Sequence, residues 1–365
     1  MKFGGTSVGS PQRMKSVATL ITDNDRNIVV LSAMSGTTNS LLEIADYLYK
    51  QNLEGAGLCI NKLEEKYKAH IDELYSTDEY KQKAWLTIHA IFDTIRTCTK
   101  GLFSDKEEKI IVAQGEMMST NMMTYYLLEK GYKVALIPAL EYMRTNEDCE
   151  PDFKYIQDHL QQQLALYPDA EIIITQGFIC LNHAGEIDNL KRGGSDYTAS
   201  LVGGAIEASE IQIWTDIDGM HNNDPRFVPN TTPVGHLHFD EAAELAYFGA
   251  KILHPTCILP AKYANVPVKL LNTMDPTAPG TIISNMIEHR KIKAVAAKDN
   301  IVAINITSSR MLLAYGFLRK VFEVFENYKT SIDMICTSEV GVSVSIDDKT
   351  HLPAILNELK KLGVV

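Results

Sequence analysis

Short apolar runs alternate with helical patterns over the first 290 or so residues. This alternation constrains the fold more than any other feature, because it is the pattern of βα units feeding a mostly parallel sheet. The expected strands are 28–33 (IVVLSA), 133–138 (KVALIP), 171–176 (EIIITQ), 211–215 (IQIWT) and 266–271 (VPVKLL). Several are apolar without interruption, so helices are expected on both faces of the sheet. Residues 58–100 are charged, with Leu63, Tyr67, Ile71 and Leu86 at helical spacing, and read as an inserted helical pair broken near 76–78. Residues 177–192 (GFICLNHAGEIDNLKR) read as a hairpin turning at 182–185.

Beyond a turn-rich linker at 275–280 (DPTAPG) the pattern changes. A strand at 302–306, a helix at 317–328, strands at 331–336 and 341–346 and a helix at 352–362 give β-α-β-β-α. That is a ferredoxin-like α+β unit short of its last strand. The sequence ends at 365, where that strand would run, so the unit is expected to be truncated, with a sheet edge left for another chain or a longer sequence to cover. Lys2 likewise falls at the end of a strand that nothing precedes. The expected division is 1–290 and 291–365.

With 35 Lys+Arg against 46 Asp+Glu, the formal charge is −11 and no basic stripe is present. Nucleic-acid affinity comes largely from clustered cations releasing counterions, so a nucleic-acid partner is not expected. No apolar run approaches the ~20 residues of a membrane span, and the N-terminus lacks the ~7–15-residue apolar stretch of a signal peptide. A cytoplasmic protein with no membrane partner is expected. Cys59, Cys98, Cys149, Cys180, Cys257 and Cys336 are scattered, without a C-x-x-C, and read as reduced thiols.

Chemistry concentrates in a few short motifs. The opening Lys2-Phe3-Gly4-Gly5-Thr6-Ser7 has the make-up of a phosphate cradle, in which glycines let backbone N–H groups approach and a lysine adds a point charge. The lysine precedes the glycines, so this is not a Walker A loop; alone, such a pair is more often a plain turn. Gly115-Glu116 opens a helical stretch at 117–130, where a lone glutamate is by default an exposed helix-start charge. In Arg192-Gly193-Gly194-Ser195-Asp196 the arginine suits a carboxylate. Ser195 or Asp196 could simply cap the following helix, whose N-terminus is itself an anion site. Asp216 and Asp218 superficially suggest a calcium loop, but the glycine and terminal glutamate of that pattern are missing. The loop fits better as a nucleotide edge beyond a strand's carboxyl end. His236 and His238 lack further metal ligands, and no metal site is expected. No G-x-S-x-G elbow supports a serine hydrolase, and no G-x-G-x-x-G follows a strand as in a nicotinamide dehydrogenase.

Taken in order, KFGGTSVGS (2–10), VLSAMSGTTN (30–39), GEMMST (115–120), RGGSDYTA (192–199), WTDIDGMHNNDPR (214–226) and FGAKILHP (248–255) resemble the aspartate kinases of the amino-acid kinase family. The C-terminal unit resembles that family's ACT regulatory domain. GFLRKVFEVF (316–325) and SIDMICTSEVGVSVSID (331–347), with the helical insert, look most like the monofunctional, lysine-sensitive branch.

The resemblance implies transfer of the γ-phosphoryl group of ATP, with Mg²⁺ bridging its phosphates, to the side-chain carboxylate of L-aspartate. The product is 4-phospho-L-aspartate, on the way to lysine, threonine and methionine. A carboxylate with a pKa near ~4 is already a nucleophile at pH 7, so no general base is required, and catalysis is positioning and charge neutralisation. Lys2 would neutralise the phosphates, Gly4 and Gly5 supply backbone donors, and Asp196 hold Lys2. Ser32 would lie near the reacting groups, Thr38 add a polar contact, Glu116 take the substrate ammonium and Arg192 its α-carboxylate. Thr215, Asp216, Arg226 and Lys251 would line the nucleotide site, with His221 where relatives often carry tyrosine. Met311, Phe317, Leu318, Asp333, Ser338 and Glu339 match the region where such enzymes bind L-lysine between paired ACT domains, Asp333 facing the ligand ammonium. The first three also fit ordinary core or interface packing, and Ala314 departs from the lysine-sensitive pattern. A homodimer or higher homo-oligomer through ACT domains is expected. The rivals are a kinase for glutamate, acetylglutamate or carbamate, and a catalytically silent ACT-type sensor.

Overall fold

A computed structural model describes the 365-residue chain except residues 23–25, 191–192, 249–254, 289–291 and 312–314. The chain divides into two compact units, Met1–Ala296 and Ala297–Val365.

In the first unit, β1 (Lys2–Phe3), α1 (Pro11–Ile21), β2 (Asn27–Leu31) and α2 (Thr37–Tyr49) form the opening βαβα run. The insert follows as α3 (Leu53–Leu74) and α4 (Asp78–Cys98), then α5 (Asp105–Glu129), β3 (Val134–Leu136), α6 (Phe153–Ala165) and β4 (Ile172–Gln176). A hairpin of β5 (Ile179–Leu181) and β6 (Ile187–Asn189) leads to α7 (Gly194–Ala205) and β7 (Ile211–Thr215). The unit closes with β8 (His236–His238), α8 (Phe239–Tyr247), α9 (Leu259–Tyr263), β9 (Val268–Asn272) and β10 (Thr281–Ser284). Among the described residues, eight strands form one sheet in the order β3-β4-β2-β1-β7-β9-β10-β8, parallel except where β9 meets β10.

The sheet is buried on both faces, as its uninterrupted apolar strands predict. Val29, Leu31, Ile172 and Ile174 pack in the core that also holds buried residues of α1–α5. Their strand neighbours Val30 and Ile173 point into the cores that also hold α7 residues on the opposite face. This is the period-2 alternation of a strand. In the insert, Ile60, Leu63, Tyr67, Ile71 and Leu74 of α3 meet a core stripe of α4, Ala84, Ile88, Phe92 and Ile95. Leu86, expected on that stripe, is exposed instead. The break between the two helices is fastened from α5: Glu129 Oε1 accepts the backbone N–H groups of Ser76 at 2.8 Å and Thr77 at 2.7 Å.

One expected boundary is wrong, with consequences for the site. The helix expected from 117 begins at Asp105, behind a capping box in which Ser104 and Glu107 satisfy each other's backbone donors. Glu116 therefore sits deep inside α5, with Ile111 through Glu116 all buried. Gly115, which reads as a break, is tolerated within the helix because of what lies opposite. A Cβ there would lie 2.9 Å from Ala33 Cβ and 3.3 Å from Leu41.

The second unit has β11 (Val302–Thr307), α10 (Phe317–Asn327), β12 (Met334–Thr337), β13 (Gly341–Ile346) and α11 (Leu352–Leu359), the β-α-β-β-α order of a ferredoxin-like unit. Its antiparallel sheet runs β11-β13-β12, and an isolated bridge joins Thr307 to Val364. Ile304, Ile306, Val342, Val344 and Ile346 pack against Phe317, Val321 and Phe325 of α10 and Ile355 and Leu359 of α11.

Gly177 follows β4 and faces α7. A Cβ on it would lie 2.8 Å from Ser195 Cα, and backbone cannot swing away as a flexible side chain can. Gly177→Ala is expected to lower the unfolding free energy by about 1–3 kcal/mol. Urea titration should show this as a reduced midpoint with the slope preserved.

Candidate active site

Parallel pairing sets Lys2 opposite Val30 and Ile213, and Phe3 opposite Leu31 and Trp214. The loops leaving β1, β2 and β7 thus emerge at one rim, at the point where successive connections diverge to opposite sides of β1, the usual ligand crevice of such sheets. The loops are pressed together. Ser35 N–H donates to Gly5 O at 3.1 Å, and a Cβ on Gly5 would lie 2.7 Å from Ala33 O. A glycine is therefore needed at Gly5.

Lys2 Nζ lies 2.7 Å from Asp196 Oδ1, both side chains mostly buried. The contact is a close, mostly buried ion pair, and an ammonium carries three donors, of which one carboxylate oxygen can engage only part. Gly4 sits beneath it: a Cβ there would be 3.3 Å from Lys2 Nζ. Asp196 is on the first turn of α7, whose cap is Gly193 at φ +75°, so neither Ser195 nor Asp196 is the cap. The Ser195 hydroxyl instead accepts a hydrogen bond from Ser32 Oγ at 2.8 Å, joining the β2 loop to α7.

Glu116 is 3% exposed. Its Oε1 accepts the Ala33 N–H at 3.1 Å, while Oε2 is buried without a partner. An exposed helix-start charge, the default expectation, is thus corrected: this is an orphaned carboxylate, raised by burial to about 7 although the Ala33 hydrogen bond opposes the shift. Around it, Ser119 Oγ donates to Ser32 O at 2.8 Å. Thr120 Oγ1 accepts from Gln176 Nε2 of β4 at 2.9 Å. Thr38 lies half-buried on the first turn of α2.

Beyond β7, Thr215 Oγ1 donates to Asp216 Oδ1 at 3.2 Å. His221 is tied through Nε2 to Asp218 Oδ1 at 2.6 Å and through Nδ1 to Thr231 Oγ1 at 2.8 Å, so its ring braces the loop. That bond holds the Asp218 carboxyl below its usual range. Arg226 is exposed and folds back on its own loop, Nη2 donating to Asp224 Oδ2 at 2.6 Å. Arg192 and Lys251 lie outside the described residues. His236 and His238 form a short strand, His236 Nε2 sharing a hydrogen bond with Ser284 Oγ at 2.7 Å. Among the described residues no group of three or more His, Cys, Asp or Glu is placed to hold a metal.

In the second unit, Phe317 belongs to the core and Met311 packs against it, while Leu318 is exposed. The Asp333 side chain is buried beside Lys298 Nζ at 3.5 Å, which also pairs with Asp347 at 2.7 Å. Ser338 and Glu339 are exposed at the β12–β13 turn, where Ser338 N–H donates to Gly341 O at 2.8 Å.

Sequence reasoning therefore names Lys2, Asp196, Ser32 and Glu116 among residues that the structure gathers, and misses Ser119, Thr37 and Ala33 N–H. The missed groups lie within the motifs at 30–39 and 115–120, but their contacts run through backbone or across long sequence separations, which the motifs by themselves do not show.

Comparison with known proteins shows the family of the chain. The amino acid kinase family matches residues 1–272. Chloroplastic aspartokinase 3 of Arabidopsis thaliana is 35% identical over 398 residues, covering 100% of this chain and 69% of its own. Lysine-sensitive aspartokinase 3 of Escherichia coli (strain K12) is 33% identical over 351 residues, covering 95% and 77%. The crystal structure of E. coli aspartokinase III in complex with aspartate and ADP matches with TM-score 0.80 at 32% identity, over 99% of this chain and 83% of that one. The family match and these relatives make the chain a small-molecule kinase. It belongs to the amino acid kinase family, in its aspartokinase branch.

A carboxyl whose folded-state pKa rises from 4.5 to about 7 holds its proton more tightly in the folded chain. Its contribution to stability is therefore greatest below 4.5 and is lost as pH rises to about 7. Glu116→Gln is expected to raise the thermal midpoint of the ligand-free protein at pH 8 relative to wild type, and to do so less at pH 5. An equal effect at both pH values would refute the buried-charge assignment.

Proposed function

We propose that this chain transfers the γ-phosphoryl group of ATP to the side-chain carboxylate of L-aspartate. The observation that carries this reading is the buried Glu116 Oε2, which has no partner. A buried carboxylate without a counterion is costly, and the ammonium of an amino acid supplies both charge and hydrogen bond. Arg192 would take the substrate α-carboxylate in a bidentate pair, and Ser32 and Thr38 would orient the acceptor.

The acceptor carboxylate attacks the γ-phosphorus, forming an O–P bond as the bond to the β,γ-bridging oxygen breaks and ADP departs. No proton moves, which accords with the lack of a histidine base among the described site residues. The chain's work is electrostatic: Lys2, held by Asp196, faces the transferring group, Gly4 and Gly5 allow phosphates close to the backbone, and the α7 N-terminus favours negative charge. Thr215, Asp216, Arg226 and Lys251 would line the nucleotide, the last two supplying cations. Mg²⁺ would enter with the nucleotide at the edge lined by Thr215 and Asp216 and would neutralise phosphate charge there. For regulation, L-lysine would bind between paired second units near Met311, Phe317, Leu318, Asp333, Ser338 and Glu339, requiring at least a homodimer. The lysine-sensitive E. coli relative supports this part.

ADP release should depend on L-aspartate, with glutamate and acetylglutamate far slower. Lys2→Ala should lower kcat by about 10²–10³ while the aspartate KM moves little. A near-normal kcat in a folded Lys2→Ala protein, or equal turnover of glutamate, would overturn the assignment.

A further inference from the structure

The insert lies outside the sheet, yet α3 reaches the site. Tyr67 is fully buried, its ring edge-on to Phe92 of α4 with centroids 6.0 Å apart. Its hydroxyl is 2.9 Å from Thr37 Oγ1, itself fully buried. One residue earlier on α3, Lys66 Nζ donates to Ser35 O at 3.2 Å. These two contacts fall on either side of Gly36, the α2 cap, which takes the left-handed φ of +81°. Helix α3 thus grips the β2–α2 loop before and after its turn. On its other side the loop bears on α5. A Cβ on Gly115 would sit 3.4 Å from Thr37 Cγ2 and 2.9 Å from Ala33 Cβ, and it is Ala33 N–H that donates to Glu116. A phenol hydroxyl taken out of water needs a partner, and Thr37 supplies it at the residue next to Thr38.

We propose that Tyr67 is a positioning residue for the phosphoryl acceptor: through Thr37 it fixes the first turn of α2, and so the placement of Thr38 and of the loop that donates to Glu116. The helical insert is then part of the acceptor-binding apparatus. The inference rests on the reading of Glu116 and Thr38 as acceptor contacts. The residues assigned to the nucleotide edge, Thr215, Asp216 and His221, follow β7 and lie outside this loop, so the effect of losing the contact falls on the acceptor.

Steady-state kinetics of Tyr67→Phe, Thr37→Val and the double variant test it. Each single change is expected to raise the aspartate KM about five- to tenfold, the equivalent of one buried hydrogen bond, with kcat and the ATP KM within about twofold. The double variant should be no worse than the more affected single, because both remove the same contact. Thr37→Ser, which keeps the hydroxyl, should behave as wild type. Multiplying effects in the double variant, or a lowered thermal midpoint with the aspartate KM unchanged, would overturn the proposal. If Tyr67→Phe fails to fold, the Thr37→Val and Thr37→Ser pair reads the contact from its other end, and equal behaviour of the two overturns it. A wild type that prefers another acceptor refutes the aspartate reading alone, and the variants are then compared on that acceptor. If no amino acid turns over, the comparison is made in aspartate Kd by calorimetry, and absence of binding overturns both.

Discussion

Parallel pairing of Lys2 and Phe3 between β2 and β7 is the constraint on which the site depends. It brings Gly4 and Gly5, Ser32 and Ala33, and Thr215 and Asp216 out at one rim, although they are far apart in sequence. Stacking of Phe3 on Trp214, centroids 5.7 Å apart, ties the same strand to β7 through the core. Glycines then allow the emerging loops to touch: Gly5 against Ala33, Gly115 against Ala33 and Leu41, Gly177 against Ser195.

Two charge arrangements result, and they differ in kind. Lys2 and Asp196 form a compensated pair, mostly buried. Glu116 is uncompensated, and burial rather than a neighbouring charge sets its acidity. An acidic chain can therefore still receive a nucleotide, because local geometry rather than net charge decides the field at the cradle. The orphaned oxygen is a cost that the folded chain carries until a cation arrives, which is how a site comes to prefer an amino acid over a simple carboxylic acid.

Much of the architecture was legible from periodicity. The strands at β2, β4 and β7 and the helical pair α3–α4 fall where uninterrupted apolar runs and 3.6-residue spacing put them, because burial on both faces leaves a strong signal. The start of helix α5 was missed although Ser104-x-x-Glu107 with an acidic first turn is a helix-start signature. Helix α5 is buried around most of its girth further on, and Gly115 mimics a break although the helix runs through it, its missing Cβ admitting Ala33 and Leu41. The character of Glu116 was hidden for the same reason, since a glutamate at a helix start and one at a helix centre look alike in sequence. Tyr67 was visible only as an apolar position at helical spacing; that its hydroxyl reaches Thr37 depends on how α3 packs, which no local pattern encodes.

The central claim is that Glu116 receives the ammonium of the acceptor, and proton release on binding tests it most directly. A carboxyl raised to about 7 by burial holds a proton that it must give up to pair with a cation. Calorimetric titration of the protein with L-aspartate at pH 7, in buffers of different ionisation enthalpy, should report net proton release that fades towards pH 8.5. Release that is absent at pH 7, or that persists unchanged in Glu116→Gln, would contradict the account.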